Sequence, residues 1–538
     1  MLSLRISSKQ AHIDGSTVVD QPDLLPVPRD SDARTWNAAH MGGSWILDRN
    51  GFWYVVNSGC IYVVNKTYTG IGQYQIAATA VTAGLSPGAA IGAVFVGHFL
   101  ISLGCAASGW IGATYGINFP VLARASFGVY GNIIAVLARA VSGVAWFGLT
   151  TYQGGQCLQV MLGAIFPSFK SFKNHLPPSA HVTSSQLLCF FIFYIIQLPL
   201  LFIHITKLRH LFMFKVIVMP IFGLALFGWA VGRAHGFGPL FAPKTDVHGS
   251  SVALVFISGD FTRFAKSPRV VVWATVFSLS ILLTLCATLG VVVTSAVQVI
   301  YGISTWNPLQ VTELWNSRAA QFFAGFCWAL TAIGSNISAN STAVGNDLAI
   351  LFPRYINVGR GQYICAFVSL ATCPWIIQNS ATSFTSFLYL PRKATILFLT
   401  SCKQGWIHHL SRPNMWNSAS RLCDTTYIRQ HWQLDVAALY RRESSRYWYT
   451  HGVNWRAIAA FMLALIPSLP GFAAKINTKI KVPIGARYIF ALVWPVGVIV
   501  GGACYLLFSL IWPASREKLE GLKEAKTPSI LSDGDLEK

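Results

Sequence analysis

The sequence predicts an all-α polytopic membrane protein with about twelve transmembrane helices, and three observations lead there. Of 538 residues, 53% are hydrophobic and only 11% are charged, whereas ordinary soluble domains carry about 25% charged residues. Mean hydropathy is +0.50. Apolar stretches recur along the chain at lengths suited to a bilayer core about 30 Å thick, which takes roughly 20 residues at 1.5 Å each. A formal net charge of +21 could point to nucleic acid in another composition. Here the basic residues are spread between apolar spans, where they hold loops on the cytoplasmic side. The expected surroundings are therefore a lipid bilayer, with no nucleic-acid partner.

Residues 1–50 read as a cytoplasmic N-terminal segment. They hold Arg5, Lys9, Asp14, Asp20, Asp23, Arg29, Asp30, Asp32 and Arg34 without a long apolar run. No cleavable signal peptide is expected, so the first span directs insertion. "DLLPVPRD", with Pro26 and Pro28, reads as extended chain before the membrane.

The transmembrane domain is placed at 51–512. Its first candidate span, 51–83, is interrupted by Asn57, Asn65, Lys66, Gln73 and Gln75. Clear apolar segments follow at 87–111, 132–166, 187–202, 212–231, 270–300, 319–351, 363–377, 457–473 and 488–511. Two further members are defective. The run from Val252 to Ser258 is too short to cross alone and meets Asp260, Arg263, Lys266 and Arg269 at once. The stretch 381–400 is broken by Pro391, Arg392 and Lys393. The charged, aromatic-poor residues 513–538 read as a disordered cytoplasmic tail.

Loop charge tests this count. With a cytoplasmic N-terminus and twelve crossings, the cytoplasmic loops carry Arg124; Lys207 and Arg209; Arg263, Lys266 and Arg269; and Arg354 and Arg360. The same side holds the dense run Arg412, Arg421, Arg429, Arg441, Arg442 and Arg446. Deleting the short Val252 run as a crossing would turn that loop outward, against the bias of cations toward the cytoplasm. The C-terminus is then cytoplasmic as well.

The 11 cysteines are scattered without a CxxC pair or zinc spacing, so they read as small apolar fillers and no metal site is expected. Acidic residues number 19 and lie chiefly in loops and tails, which leaves no paired carboxylates for an enzyme, and no catalytic residues are assigned.

Polar residues inside a span are costly and mark sites by default. The richest cluster is "ALTAIGSNISANSTAVGNDLAILFPRY", 329–355. Asn336 and Asn340 stand four apart and project from one helical face. Their carboxamides offer donors and acceptors matching the edge of a nucleobase or hydantoin. Thr331 and Ser335 lie on a neighbouring face and could offer oxygens to a small hard cation. Packing through small polar residues is the competing reading. The second cluster is "VSGVAWFGLTTYQGGQ", where Trp146 is an aromatic plate between Gly143 and Gly148, with Thr150 one turn on. The third, "GIGQYQIAATAVTAGLSPG", places Gln73 and Gln75 in an interrupted helix whose freed carbonyls could line a cation site.

Several stretches together resemble the nucleobase–cation symport family 1, particularly its fungal branch of uracil, allantoin and uridine permease-like proteins. They are "DLLPVPRD" with "RTW", "INFPVLARASFGVYG", "AWFG", "DFTRFAKSPR", "GSNISANS", "NDLAILFPRYINVGRGQYICA", and "LDVAALY" with "GVNWRA". The resemblance implies a five-plus-five inverted repeat of the amino-acid/sodium symporter type, with the substrate held near the midplane. It further implies that Trp146 stacks on the substrate and that Asn336 and Asn340 bond its amide edge. Thr150, one turn from Trp146, and Gln75 of the third cluster are taken as further candidate substrate contacts. Thr331, Gly334 and Ser335 would fall on the cation side. The implied activity is symport of a nucleobase, allantoin, nucleoside or related vitamin across the plasma membrane. It would be coupled to H+ or Na+ and would need no cofactor.

The chain also departs from the family pattern. Many relatives carry Gln where Thr150 stands. Helices 1, 6 and 10 are atypical: helix 1 begins "NGFWYVVNSGCIYVVNKTYT", helix 6 is shortened before "SGDFTRFAK", and helix 10 is replaced by the stretch 389–427. The alternative function is therefore a transport-inactive member, sensor-like or the product of a faulty gene model.

Overall fold

A computed structural model describes residues 9–13, 16–20, 22–28, 71–82, 86–202, 209–236, 268–379 apart from 304 and 306, 434–441, 447–476 and 480–512. The atypical start of helix 1 at 50–69, the short helix 6 run at 252–258, the stretch 389–427 at helix 10, most of the 412–446 loop and the tail at 513–538 lie outside these residues.

The first described element is an antiparallel hairpin of β1 (Lys9–Ile13) and β2 (Ser16–Asp20), with Lys9 opposite Asp20. The β-branched run Thr17, Val18 and Val19 favours it, although the sequence pattern predicts no strand here. Helices then dominate: α1 (Ile71–Thr82), α2 (Pro87–Tyr115), α3 (Phe119–Phe127), α4 (Asn132–Ile165), α5 (Ser184–Gln197), α6 (Arg209–Arg233), α7 (Pro268–Phe277) and α8 (Leu283–Tyr301). They continue with α9 (Pro308–Glu313), α10 (Arg318–Ser335), α11 (Thr342–Leu351), α12 (Val358–Leu370), α13 (Pro374–Gln378), α14 (Val436–Tyr440), α15 (Trp455–Leu465), α16 (Leu469–Ile476), α17 (Ile484–Ala491) and α18 (Val493–Ile511). Among the described residues, six helical stretches are long and apolar enough to cross a membrane.

Local chemistry sets several boundaries. Ser86 caps α2 with Pro87 at its first turn, and Gly116 closes it at φ 69°, a left-handed position that suits glycine. Thr183 and Gln186 form a reciprocal capping box at α5. The predicted span 363–377 is broken between α12 and α13. Cys373 sits at φ 44° before Pro374, whose ring disfavours helical backbone in the residue ahead of it.

The long helix α4 is the spine. It runs antiparallel to the continuous rod α10–α11, and contacts recur along its length. Arg139 pairs with Asp347, Gly143 lies on Val344, Asn336 meets Thr151, and Gly325 lies on Cys157 and Met161. At the far end the Arg318 guanidinium donates to the carbonyls of Ala164 and Ile165 at 2.7 and 2.6 Å. A cation bonded to the last carbonyls of α4 offsets the helix dipole there. The spine also packs on α5, α12 and α13, while α1 lies on α8, and α6 on α8 and α10.

Large apolar side chains face outward, including Leu224 at 72% and Val141 at 67% exposure, as expected where lipid rather than water is the neighbour. The cysteines Cys105, Cys157, Cys189, Cys286, Cys327 and Cys365 are buried and unbridged. At one end of the bundle, Leu24, Val121, Val436 and Leu439 share a cluster, and Tyr440 Oη donates to Leu24 O at 2.7 Å.

Candidate functional site

Two features concentrate chemistry on the spine. First, the rod α10–α11 widens into a π turn over Asn336–Ser341, where the Thr342 backbone N–H reaches back five residues to Ile337 O. The cause is written in the residues. Ser338 Oγ bonds Gly334 O at 2.7 Å, Ser341 Oγ bonds Ile337 O at 3.1 Å, and Thr342 Oγ1 bonds the same carbonyl at 2.6 Å. Hydroxyls that bond back to the helix carbonyls loosen the ordinary ladder, and single π turns recur at functional positions. Second, Trp146, Thr150 and Gln153 form one stripe of α4 at i, i+4 and i+7 spacing.

Thr150, Asn336 and Asn340 come into direct contact. Asn340 Nδ2 donates to Asn336 Oδ1 at 2.9 Å and lies 3.5 Å from Thr150 Oγ1. Asn336 is fully buried. Its Nδ2 donates to Thr151 Oγ1 at 2.9 Å, Gln197 Oε1 at 3.0 Å and Phe147 O at 3.3 Å. Asn340 retains slight exposure, at 8%.

Gln75 joins the stripe through Gln153, whose Nε2 donates to Gln75 Oε1 at 3.0 Å and Gln378 Oε1 at 3.3 Å. Three carboxamides from α1, α4 and α13 thus meet one turn beyond Thr150. One turn the other way, half-buried Trp146 packs with Ala145, Leu149 and Ile377. The neighbouring glycines are needed for close approach. A Cβ at Gly143 would meet Val344 Cγ2 at 2.5 Å, and one at Gly148 would meet Thr372 Oγ1 at 2.6 Å.

The three residues placed on the cation side occupy the preceding turns of α10. Thr331 is buried and its hydroxyl donates to Trp328 O at 2.7 Å. Ser335 is half-buried. Gly334 is covered by Lys215 of α6: a Cβ there would meet Lys215 Cδ and Nζ, each at 3.3 Å. Lys215 is itself fully buried. Among the described residues, no three His, Cys, Asp or Glu side chains gather as metal ligands do.

A family model described as a permease for cytosine/purines, uracil, thiamine and allantoin matches residues 62–398 and 421–497. The chain belongs to this permease family. The permease is 30% identical to the uracil permease of Saccharomyces cerevisiae, over 91% of this chain and 76% of that one. It is 29% identical to the allantoin permease of the same yeast, over 82% and 71%. In three dimensions it is similar to Mhp1, a nucleobase–cation symport 1 family transporter solved closed with bromovinylhydantoin bound. The TM-score is 0.62 at 18% identity, covering 86% of this chain and 94% of that one. The fold is therefore that of a helical multi-pass transporter, and the permease is a membrane transporter, not an enzyme. The family match spans the short Val252 run and the start of the irregular stretch near helix 10, and breaks only at 399–420. Nothing in these likenesses favours an inactive offshoot.

Sequence reasoning passed over Lys215, Gln197, Thr151, Gln153 and Gln378. Lys215 could have been found, because a lone lysine within a span is a pointer in itself. Gln197 and Gln378 end apolar runs and look like helix termini until their partners on α4 are seen.

Proposed function

We propose that the permease carries a small planar nitrogenous solute, a nucleobase, allantoin or a close relative, across the plasma membrane by proton-coupled alternating access. Both termini would be cytoplasmic. The observation that carries this reading is the contact of Asn340 with Thr150 on the same stripe as Trp146. An indole face suits a planar ring, and a carboxamide beside it suits that ring's polar edge. In this reading Trp146 stacks, Asn340 and Thr150 bond the edge, and Gln75 closes the far side through Gln153. Asn336 orients its neighbour. The names of the related uracil and allantoin permeases point to the same class of solute.

Lys215 supports the proton as the coupling ion. Its amine lies against Gly334, and while that amine is protonated a sodium ion within about 4 Å of it would be repelled by roughly 4 kcal/mol at an effective dielectric near 20. In this reading Thr331 and Ser335 line the region around an amine that takes up and releases the coupled proton, rather than around a metal ion.

The test is uptake of radiolabelled uracil, allantoin, cytosine, uridine and thiamine in a permease-deficient yeast, at two pH values, with and without sodium. At least one solute should accumulate, faster at the lower pH and indifferently to sodium. Lys215→Ala should flatten the pH dependence. Accumulation of none of the five would overturn the transport reading, and strict sodium dependence would overturn the proton.

A further inference from the structure

From one backbone carbonyl outward, the donors and acceptors around Asn336 can be assigned without ambiguity, and they decide which atom Asn340 shows to the solute. Phe147 O can only accept. Thr151 Oγ1 donates its single proton to that carbonyl at 2.7 Å, so its lone pairs face its other neighbours. Gln197 must therefore turn its Nε2 toward Thr151, at 2.8 Å, and its Oε1 toward Asn336, at 3.0 Å. Asn336 meets three acceptors at once, namely Phe147 O, Thr151 Oγ1 and Gln197 Oε1. Its nitrogen points there and its oxygen points away. Asn340 then has to present Nδ2 to Asn336 Oδ1. Carboxamide orientations are read from such networks, and here each link leaves one choice.

We infer that the Gln197–Thr151–Asn336 relay locks Asn340 with its carbonyl oxygen toward the solute, so that the site selects a solute carrying an N–H donor on that edge. This rests on the reading that Asn340 faces the solute. Asn340 Oδ1 accepts no hydrogen bond from the described residues, whereas its Nδ2 is held by Asn336 and Thr150. A solute N–H completes the set. A ring whose nitrogens are all methylated offers only carbonyls to a carbonyl, and a polar group left unpaired in a buried site is a strong basis for rejection. Flipping Asn340 to suit such a ring would place its oxygen against Asn336 Oδ1. Gln197 touches Thr151 and Asn336, not Asn340, and is a positioning residue.

The experiment uses the full-length chain in yeast and whichever of uracil or allantoin it accumulates as the labelled probe. Inhibition by uracil is compared with inhibition by 1,3-dimethyluracil, which has the same ring and carbonyls but no N–H. Wild type should favour uracil by a wide margin. Gln197→Met fills the same volume but frees Asn336 to rotate. It should raise the apparent KM for the probe and narrow the uracil-to-dimethyluracil ratio by about tenfold, at unchanged surface expression. Gln197→Glu keeps the acceptor for Asn336 but loses the donor to Thr151, and should fall between. A role in packing alone would lower uptake and leave the ratio as it was, and that result overturns the relay. Asn340→Ala separates the two readings. If it leaves the probe's KM unchanged, the site reading itself fails. If it raises the KM while Gln197→Met changes nothing, only the relay fails.

Discussion

The spine α4 and the rod α10–α11 are fastened to each other twice, by opposite chemistries. At one level Arg139 Nε donates to both Asp347 oxygens at 3.0 and 2.8 Å, with its guanidinium 4.3 Å from the Phe119 ring centroid. About three turns away, Thr151, Gln197 and Asn336 are joined by neutral hydrogen bonds alone. Both levels are buried. The charged level closes within the protein: guanidinium and carboxylate meet in a bidentate pair, and Arg139 Nη2 also reaches Ala343 O at 3.4 Å. The neutral level ends in a polar atom of Asn340 that nothing on the described protein meets. A scaffold lock and a recognition surface can share two helices, because closure of the hydrogen-bond set separates them.

Breaking the charged level should have the largest effect. Asp347→Ala strands a buried guanidinium and should cost about 3–5 kcal/mol, read as lost surface expression and a lowered Tm in detergent. Arg139→Met with Asp347→Leu should recover most of that loss. An Asp347→Ala protein melting with wild type would remove the contrast.

At the neutral level the effects should move from stability to affinity. Trp146→Ala should weaken apparent solute affinity by about 5- to 150-fold, the equivalent of roughly 1–3 kcal/mol of stacking, while surface expression stays normal. Trp146→Phe should restore part of it. Asn340→Ala should cost about tenfold in affinity with little change in Tm, and a large fall in Tm instead would make it a second scaffold lock. Thr151→Val is the smallest case. It keeps the shape, removes the lone pairs that orient Gln197, and should cost about 1 kcal/mol in stability while loosening selectivity.

Much of this permease was legible in its residues. Hydropathy located the apolar spans because every membrane-spanning backbone group has to be satisfied within its own helix, so each span writes its own continuous run. The polar runs at 329–355 and 141–156 stood out because such residues are costly in lipid. The i, i+4 spacing put Asn336 and Asn340 on one face, and the structure joins them at 2.9 Å. Local hydrophobicity could not foresee the π turn, whose hydroxyls choose among carbonyls only once the helix exists. The break at Cys373 is a backbone event inside an apolar run, and hydropathy does not register it.

What the sequence determined by itself was the class of protein and the places where polar residues interrupt lipid-facing helices, because both are set by each segment's own contact with the bilayer. Only the tertiary structure decided which partner each polar atom takes. Gln197 lies 46 positions from Thr151 and 139 from Asn336 along the chain. No local rule links residues so far apart. The direction of a hydrogen bond belongs to the pair that makes it, and those pairs exist only when α4, α5 and α10–α11 have packed.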